Sequence, residues 1–376
     1  MSDQVDVLEK SAQLQQTKLK AQLYAQRALL AGIADDIRKA KGKDAIALYN
    51  SEHSYDPIEV TPTGIYSLDR ALGVGGWPKG RVIELFGSEG ACKSSIALTA
   101  IVSAQREGAL CAYIDAENAL SEDFMEKLGV DLSRLLISQL NMTEDIFDMI
   151  NLLIDSKIRI IVLDSIASMC PKAELNGDFG DWTIGLNARL IGQAMRKLVE
   201  KIKSTQSVVI FINQVRENVG VMFGNPETTP GGRAIKFAAS VRLKTTQASM
   251  IKENNETVGI NVRMYVAKNK VAWPFKTVEA PFYFSNGFNN EIGIFDDAVK
   301  AKLLDVRGAY YSYKDFRMMK KDWRTFLKER PDVLKQMIDD LDAVNGIVKT
   351  ETPTAEDIAD NETELTTDLV VEEGEE

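Results

Sequence analysis

The 376-residue chain reads as an α/β protein with a mostly parallel central sheet flanked by helices, a helical element before it and a small α+β domain after it. Three observations predict this. Apolar runs of strand length recur at Val82 to Phe86, Leu110 to Ile114, Leu135 to Ser138, Ile158 to Leu163 and Val208 to Ile212. Amphipathic stretches alternate with them, among them Lys93 to Glu107, Glu144 to Asp155 and Leu186 to Lys203. Strands that are apolar on both faces and alternate with helices belong to a parallel sheet covered on each side. Finally, after Phe237 the texture changes to runs near Ala238 to Leu243, Asn261 to Ala267 and Thr277 to Phe284, which predict antiparallel strands extending that sheet.

The flanking segments follow from pattern and charge. Residues 1–24 are polar, with Leu8, Leu19 and Leu23 loosely periodic, and predict helix without a function. From Ala25 to Ala47 the spacing of Leu29, Leu30, Ile33 and Ile37 places an apolar stripe on one helix face, opposite Arg38, Lys39 and Lys41. Such a helix must dock on something. Pro57, Pro62 and Gly64 then break the chain, and residues 57–287 form the expected core. A small domain is expected over 288–346, with helices around Ile294 to Leu304 and Arg324 to Leu341.

Composition excludes several chemistries. Three widely spaced cysteines and one histidine, His53, argue against a disulfide framework, a structural zinc site and histidine catalysis. No apolar run reaches membrane-spanning length and the N-terminus lacks a signal peptide, so a cytoplasmic protein without membrane contact is expected. The net charge of −10 is misleading about partners. From Glu351 to Glu376 there are eleven acidic residues and no Lys or Arg, which leaves the body close to neutral and free to cluster positive charge. Residues 347–376 are expected to stay disordered, as a solubilising tail or one that competes with DNA for the basic surface.

Directly after the first apolar run comes Gly87-Ser88-Glu89-Gly90-Ala91-Cys92-Lys93-Ser94-Ser95. A glycine, four free residues, a second glycine, lysine and serine or threonine make a phosphate loop, and Cys92 stands at the second glycine. Gly87 permits a tight exit from the strand, so that successive N–H groups can curl round a phosphate at a helix N-terminus. Lys93 would then bridge the β- and γ-phosphates of a nucleoside triphosphate, and the Ser94 hydroxyl would hold Mg²⁺. At Cys92 a Cβ must fit where the backbone calls for positive φ, at a cost of roughly 1–2 kcal/mol.

In such sheets ligands sit at the carboxyl ends of the strands, so residues just past each run are the candidates. Asp164 closes an apolar strand and suits Mg²⁺, directly or through water, or a helix cap. Glu117 fits either a solvated loop carboxylate or the group orienting the attacking water. Gln214 can hydrogen-bond a γ-phosphate and report it to the long loop from Val215 to Arg233, a candidate switch. Lys268 and Lys270, two apart, share one strand face, as a solvated edge or as cationic fingers for another subunit's site.

Ile58 to Gly64, Leu72 to Arg81, Phe211 to Arg216 and above all Gly220-Val221-Met222-Phe223-Gly224-Asn225-Pro226-Glu227-Thr228-Thr229 resemble the bacterial RecA recombinase family, from about Arg27 to about Asp342. A bacterial or a phage origin fits equally. The resemblance implies a RecA-like phosphate-loop ATPase that polymerises with ATP into a helical filament on single-stranded DNA, pairs it with homologous duplex and exchanges strands in DNA repair and the damage response. It assigns Lys93 and Ser94 to phosphate and Mg²⁺, Glu117 to the water, Asp164 to the metal, Gln214 to γ-phosphate sensing and Phe124 to the adenine. Lys268 and Lys270, with Lys236 and Phe237, would lie at the subunit interface, where the Arg27 to Ala47 helix docks. DNA would meet two loops, Glu174 to Gly185 and the one after Gln214. Arg189, Gly192 and Arg196 follow the first, and the second carries Arg216, Val219, Phe223, Gly231, Gly232 and Arg233. Loading and single-strand-binding proteins are further expected partners. Three departures stand out: Cys92, Glu217 in the second DNA loop, and the longer N-terminal extension. Cys92 keeps open an alternative, a filament scaffold that holds ATP and hydrolyses it poorly; a hexameric ring motor fits less well, because the long second loop and the docking helix favour filaments.

Overall fold

The computed structural model describes residues 2–42, 45–46, 58–175, 185–217 and 227–344, with backbone alone for 2–17, 20–21, 217 and 227. The chain divides into two compact units, Met1–Ile58 and Glu59–Glu376. The first is built on one helix, Ser2–Lys41, so the expected extension and docking helix are continuous. It ends where Gly42, at φ 101°, closes onto the Arg38 carbonyl, 2.9 Å away. Arg38 also bonds Asp35 at 3.1 Å. Of the expected stripe, Leu29, Leu30 and Ile33 are exposed and Ile37 is half-buried.

The second unit is organised by a nine-stranded sheet. Its order runs Gly287–Phe288, Thr277–Tyr283, Glu256–Asn269, Val241–Glu253, Arg81–Gly87, Val208–Gln214, Ile160–Asp164, Cys111–Asp115, Leu135–Ser138. The six strands from Val241–Glu253 to Leu135–Ser138 are parallel, and the remaining three pair antiparallel. One boundary differs from expectation: Arg233–Ala238 is a short helix, and the strand that follows it runs parallel to the core rather than antiparallel. A crossover from Val208–Gln214 through that helix delivers it in the parallel sense.

Alternation along the strands builds two cores, one on each sheet face. Ile83, Leu85, Tyr113, Ile160, Val162, Val208 and Ile210 join Ile96, Leu98 and Ile101 of the helix Lys93–Arg106. Their neighbours Val82, Ala112, Ile114, Ile161, Leu163, Val209 and Phe211 pack on Ile146 and Ile150 of Thr143–Asp155 and on Ile191, Met195 and Leu198 of Leu186–Thr205. Each fully buried Leu, Ile or Phe contributes about 1.5–3 kcal/mol. The strands are therefore held at fixed register, and their carboxyl ends line up.

The C-terminal part has its own core, in which Phe295, Trp323, Leu327 and Met337 are almost fully buried. The helix Asn290–Lys300 leads into strands Asp305–Arg307, Tyr310–Tyr313 and Phe316–Met319. The single helix expected from Arg324 to Leu341 is instead two, Lys320–Glu329 and Pro331–Val344, because Pro331 cannot continue the first. Asn290 ties this part to the main sheet's domain, accepting from the Tyr66 N–H at 3.0 Å and donating to the Gly64 carbonyl at 2.9 Å. The tail from 345 onward lies outside the described residues.

Candidate nucleotide site and nucleic-acid face

Four adjacent strands end in one row. In the pairing, Gly87 stands opposite Gln214 and Asp115 opposite Asp164, so the loop and three polar side chains gather along one edge. Gly87 is required by close approach rather than by its φ, since a Cβ there would lie 2.1 Å from the Thr245 carbonyl oxygen. Gly90, at φ 71°, faces open space. Cys92 sits in the left-handed region at φ 56°, ψ 28°, immediately before the helix Lys93–Arg106. The strain expected from the sequence, about 1–2 kcal/mol, is thus present in the fold.

Burial raises the Cys92 thiol to about 11, against small opposing effects from Ser95 and Lys93. The sign is decisive: a raised thiol stays protonated at neutral pH and is a poor nucleophile. Cys92 is expected to resist iodoacetamide at pH 7.5 in the folded protein while reacting fully after denaturation. Labelling of Cys92 at the rate of a free thiol would contradict this.

Lys93 is buried and donates to the carbonyls of Ser88 at 2.7 Å and Gly87 at 3.2 Å, so the ammonium is folded back into the loop it serves. Burial lowers its pKa, opposed by Asp164, Glu117 and Glu89. Ser94 Oγ donates to Asp164 Oδ2 at 2.5 Å, and burial pushes the Asp164 carboxyl above the usual carboxylate range. Ser88, Glu89 and Gly90 form the exposed rim, while Ala91 and Ser95 are buried. Phe124, on the short helix Glu122–Lys127, is half-buried against the first core.

The turn after Asp115 is pinned at several points, which fixes Glu117. The Ala116 N–H donates to the Asp164 carbonyl at 2.7 Å, and the Leu120 N–H to Asp115 Oδ2 at 3.0 Å. Glu117 Oε1 then accepts from Ser165 Oγ, from Ser168 Oγ at 3.3 Å and from Gln214 Nε2 at 3.2 Å. Glu117 is itself exposed, at the mouth of the site.

The arrangement suits a magnesium nucleotide. A loop of N–H groups, a buried ammonium, and a hydroxyl with a carboxylate are the hard oxygen and cationic partners such a ligand needs. Among the described residues no cluster of three His, Cys, Asp or Glu side chains could hold an ion alone.

The nucleic-acid candidates divide by position. Arg189 and Arg196 are exposed on the helix Leu186–Thr205, and a Cβ added at Gly192 between them would lie 3.8 Å from both Ala234 Cβ and an Arg196 nitrogen. Arg216, Gly232 and Arg233 are exposed, and Gly231 is half-buried with φ 84°. At the base of the second loop a cavity of about 450 Å³ is lined by Arg233, Lys236, Arg242 and Lys244. Val219 and Phe223 lie outside the described residues, as does most of the first loop, 176–184. Arg216 and Glu217 pair with Thr228 and Glu227, closing the loop's stem.

Lys268 Nζ donates to the carbonyls of Lys236 at 2.8 Å and Phe237 at 3.2 Å, and Lys270 Nζ reaches the latter at 3.4 Å. Both lysines thus gather on the end of the Arg233–Ala238 helix, beside the exposed Phe237 ring. Sequence reasoning missed Tyr113, Ser165 and Ser168, and also a buried ion pair between Glu84 and Arg242. The one visible signal was Glu84, a carboxylate inside an otherwise apolar run, which requires a buried partner.

Fold and site together define a phosphate-loop nucleotide-binding protein with a parallel core sheet. Comparison with known proteins narrows the class. Residues 27–289 match the RecA N-terminal domain family. The chain is 42% identical over 324 residues to Protein RecA of Lactobacillus acidophilus, covering 85% of this chain and 89% of that one. It is 42% identical over 330 residues to Protein RecA of Halalkalibacterium halodurans, covering 86% and 94%. With Protein RecA of Streptomyces avermitilis the identity is 41% over 339 residues, 89% of each. The chain belongs to the RecA family. Among the described residues no helix is long and apolar enough to cross a membrane.

Proposed function

We propose that this chain is an ATP-dependent DNA strand-exchange protein of the cytoplasm, forming helical filaments on single-stranded DNA and pairing it with homologous duplex. The reading rests chiefly on Gln214, whose side chain bonds Glu117 while its backbone begins the segment leading to the second loop. One residue therefore joins the hydrolytic end of the site to the DNA-facing end.

The roles proposed for the residues come from the resemblance to the RecA family, and the geometry at the strand ends supports those of the phosphate loop, Asp164, Glu117 and Gln214. The N–H groups from Ser88 to Ser95 and the Lys93 ammonium hold the phosphates, and Phe124 covers the adenine. Ser94 and Asp164 would hold Mg²⁺, which neutralises charge developing on the phosphates. Glu117 orients the attacking water and accepts its proton. Gln214 exchanges Glu117 for the γ-phosphate, shifting the second loop. Arg189, Arg196, Arg216 and Arg233 meet the DNA backbone, with Gly192, Gly231 and Gly232 allowing close approach, and Val219 and Phe223 meet the bases. Such contacts are independent of sequence and weaken with salt. Electron microscopy with single-stranded DNA and a slowly hydrolysed ATP analogue, with ATPase measured in parallel, tests the reading. Nucleotide-dependent filaments and DNA-stimulated hydrolysis are expected; rings, or no assembly, would refute it.

Lys268 supplies a pH test of the interface role. Burial lowers its ammonium to about 8, with Lys270 and Arg242 adding like charge. An ordinary lysine titrates near 10.4. Within a subunit the fold favours neutral Lys268, so subunit stability rises with pH from about 8 toward 10.4. A cationic role across an interface has the opposite trend, fading as pH passes about 8. DNA-stimulated ATPase is expected to decline over that range, and Lys268→Arg, which stays charged, should carry the alkaline limb upward. An unmoved limb in the variant would remove Lys268 from that role.

A further inference from the structure

Tyr113 carries a hydroxyl that the packing of the core does not require. It lies on the strand Cys111–Asp115, fully buried among apolar side chains of the first core. A phenylalanine of the same shape would fill that space. A phenol buried in an apolar core needs a partner for its O–H, and here that partner is Asp164 Oδ2, at 2.6 Å. The same oxygen accepts from Ser94 Oγ at 2.5 Å.

A carboxylate oxygen has about two good acceptor directions. Two hydroxyls, one from the adjacent strand and one from the phosphate-loop helix, converge on Oδ2. They hold the carboxylate from two sides, which leaves Oδ1 as the oxygen available to a hydrated cation. The strand pairing fixes this geometry: Tyr113 pairs with Val162 and Asp115 with Asp164, so the ring extends beneath the end of the neighbouring strand.

We propose that Tyr113 is a positioning residue for the magnesium–nucleotide site, its hydroxyl setting the orientation of the Asp164 carboxylate. The proposal rests on the reading of Asp164 as the metal-site carboxylate. Without the hydroxyl the carboxylate keeps only Ser94 from this pair, and its orientation loosens. Partners of this kind typically affect metal affinity by 10-fold or more.

The test uses the full-length chain and Tyr113→Phe, which keeps the ring and its packing. Binding of a fluorescent ATP analogue is followed by anisotropy during a MgCl₂ titration and again in EDTA, with thermal unfolding recorded for each protein. Expected is a rise of about 10-fold in the Mg²⁺ concentration for half-maximal binding, with EDTA binding and melting temperature unchanged. A midpoint within twofold of the natural chain would overturn the proposal. An equal loss in EDTA, or a melting temperature lowered in step with binding, would also overturn it by making the hydroxyl structural. Asp164→Asn separates the two readings. If it shifts the Mg²⁺ midpoint and Tyr113→Phe does not, Tyr113 alone is excluded; if neither shifts it, the metal-site assignment fails beneath both.

Discussion

Glu117→Gln is expected to lower DNA-stimulated ATP hydrolysis by roughly 10²–10⁴-fold while nucleotide binding stays within a few-fold. An amide retains the shape and the acceptor that Ser165, Ser168 and Gln214 address, but it cannot take a proton. All three of those bonds fall on Oε1. The second oxygen is then the one free to meet a water at the mouth of the site, where Glu117 is exposed. Because binding is proposed to rest on Lys93 and the loop amides, the loss should appear in kcat rather than in nucleotide affinity. Filaments should therefore form and persist with ATP itself. Single-turnover hydrolysis with and without single-stranded DNA checks the claim, and a variant retaining a third or more of the natural rate would remove Glu117 from the chemistry.

What was legible in the chain was whatever periodicity or local spacing encodes. The strand Ile160–Asp164 and the loop Gly87 to Ser95 are contiguous signals, each complete within about ten residues. Cys92 was legible even as strain, because a glycine position in a phosphate loop already implies its backbone conformation. What stayed hidden depends on register between distant strands. Tyr113 reads as one more apolar residue until pairing of its strand brings it to Asp164. Gly87 looked like a turn glycine, whereas its constraint is the Thr245 carbonyl, more than 150 residues later. The helix break at Pro331 is also a local signal, which the expectation of one helix from Arg324 to Leu341 left unused.

Glu84→Gln should destabilise the folded chain by about 3–5 kcal/mol, because it leaves the Arg242 charge buried and unpaired. Glu84 is 1% exposed and Arg242 9%. They are direct partners on adjacent parallel strands, and the Arg242 guanidinium also lies 4.3 Å over the Phe86 ring. Glu84 Oε1 accepts from Asn213 Nδ2 at 3.1 Å, and the same amide donates to the Pro230 carbonyl at 3.0 Å. Asn213 Oδ1 in turn accepts the Gln214 N–H at 3.1 Å. The ion pair therefore supports the residue that positions Gln214 and the far end of the second loop. Removing both charges, as in Glu84→Leu with Arg242→Met, should restore most of the lost stability, since a buried pair is worth little against apolar replacements. It should not restore the Asn213 contact. Urea unfolding is expected to recover in the double variant while stimulation of hydrolysis by single-stranded DNA stays reduced. Recovery of both together would show that the pair serves packing alone, and full stability in the single variant would show that Arg242 finds another partner.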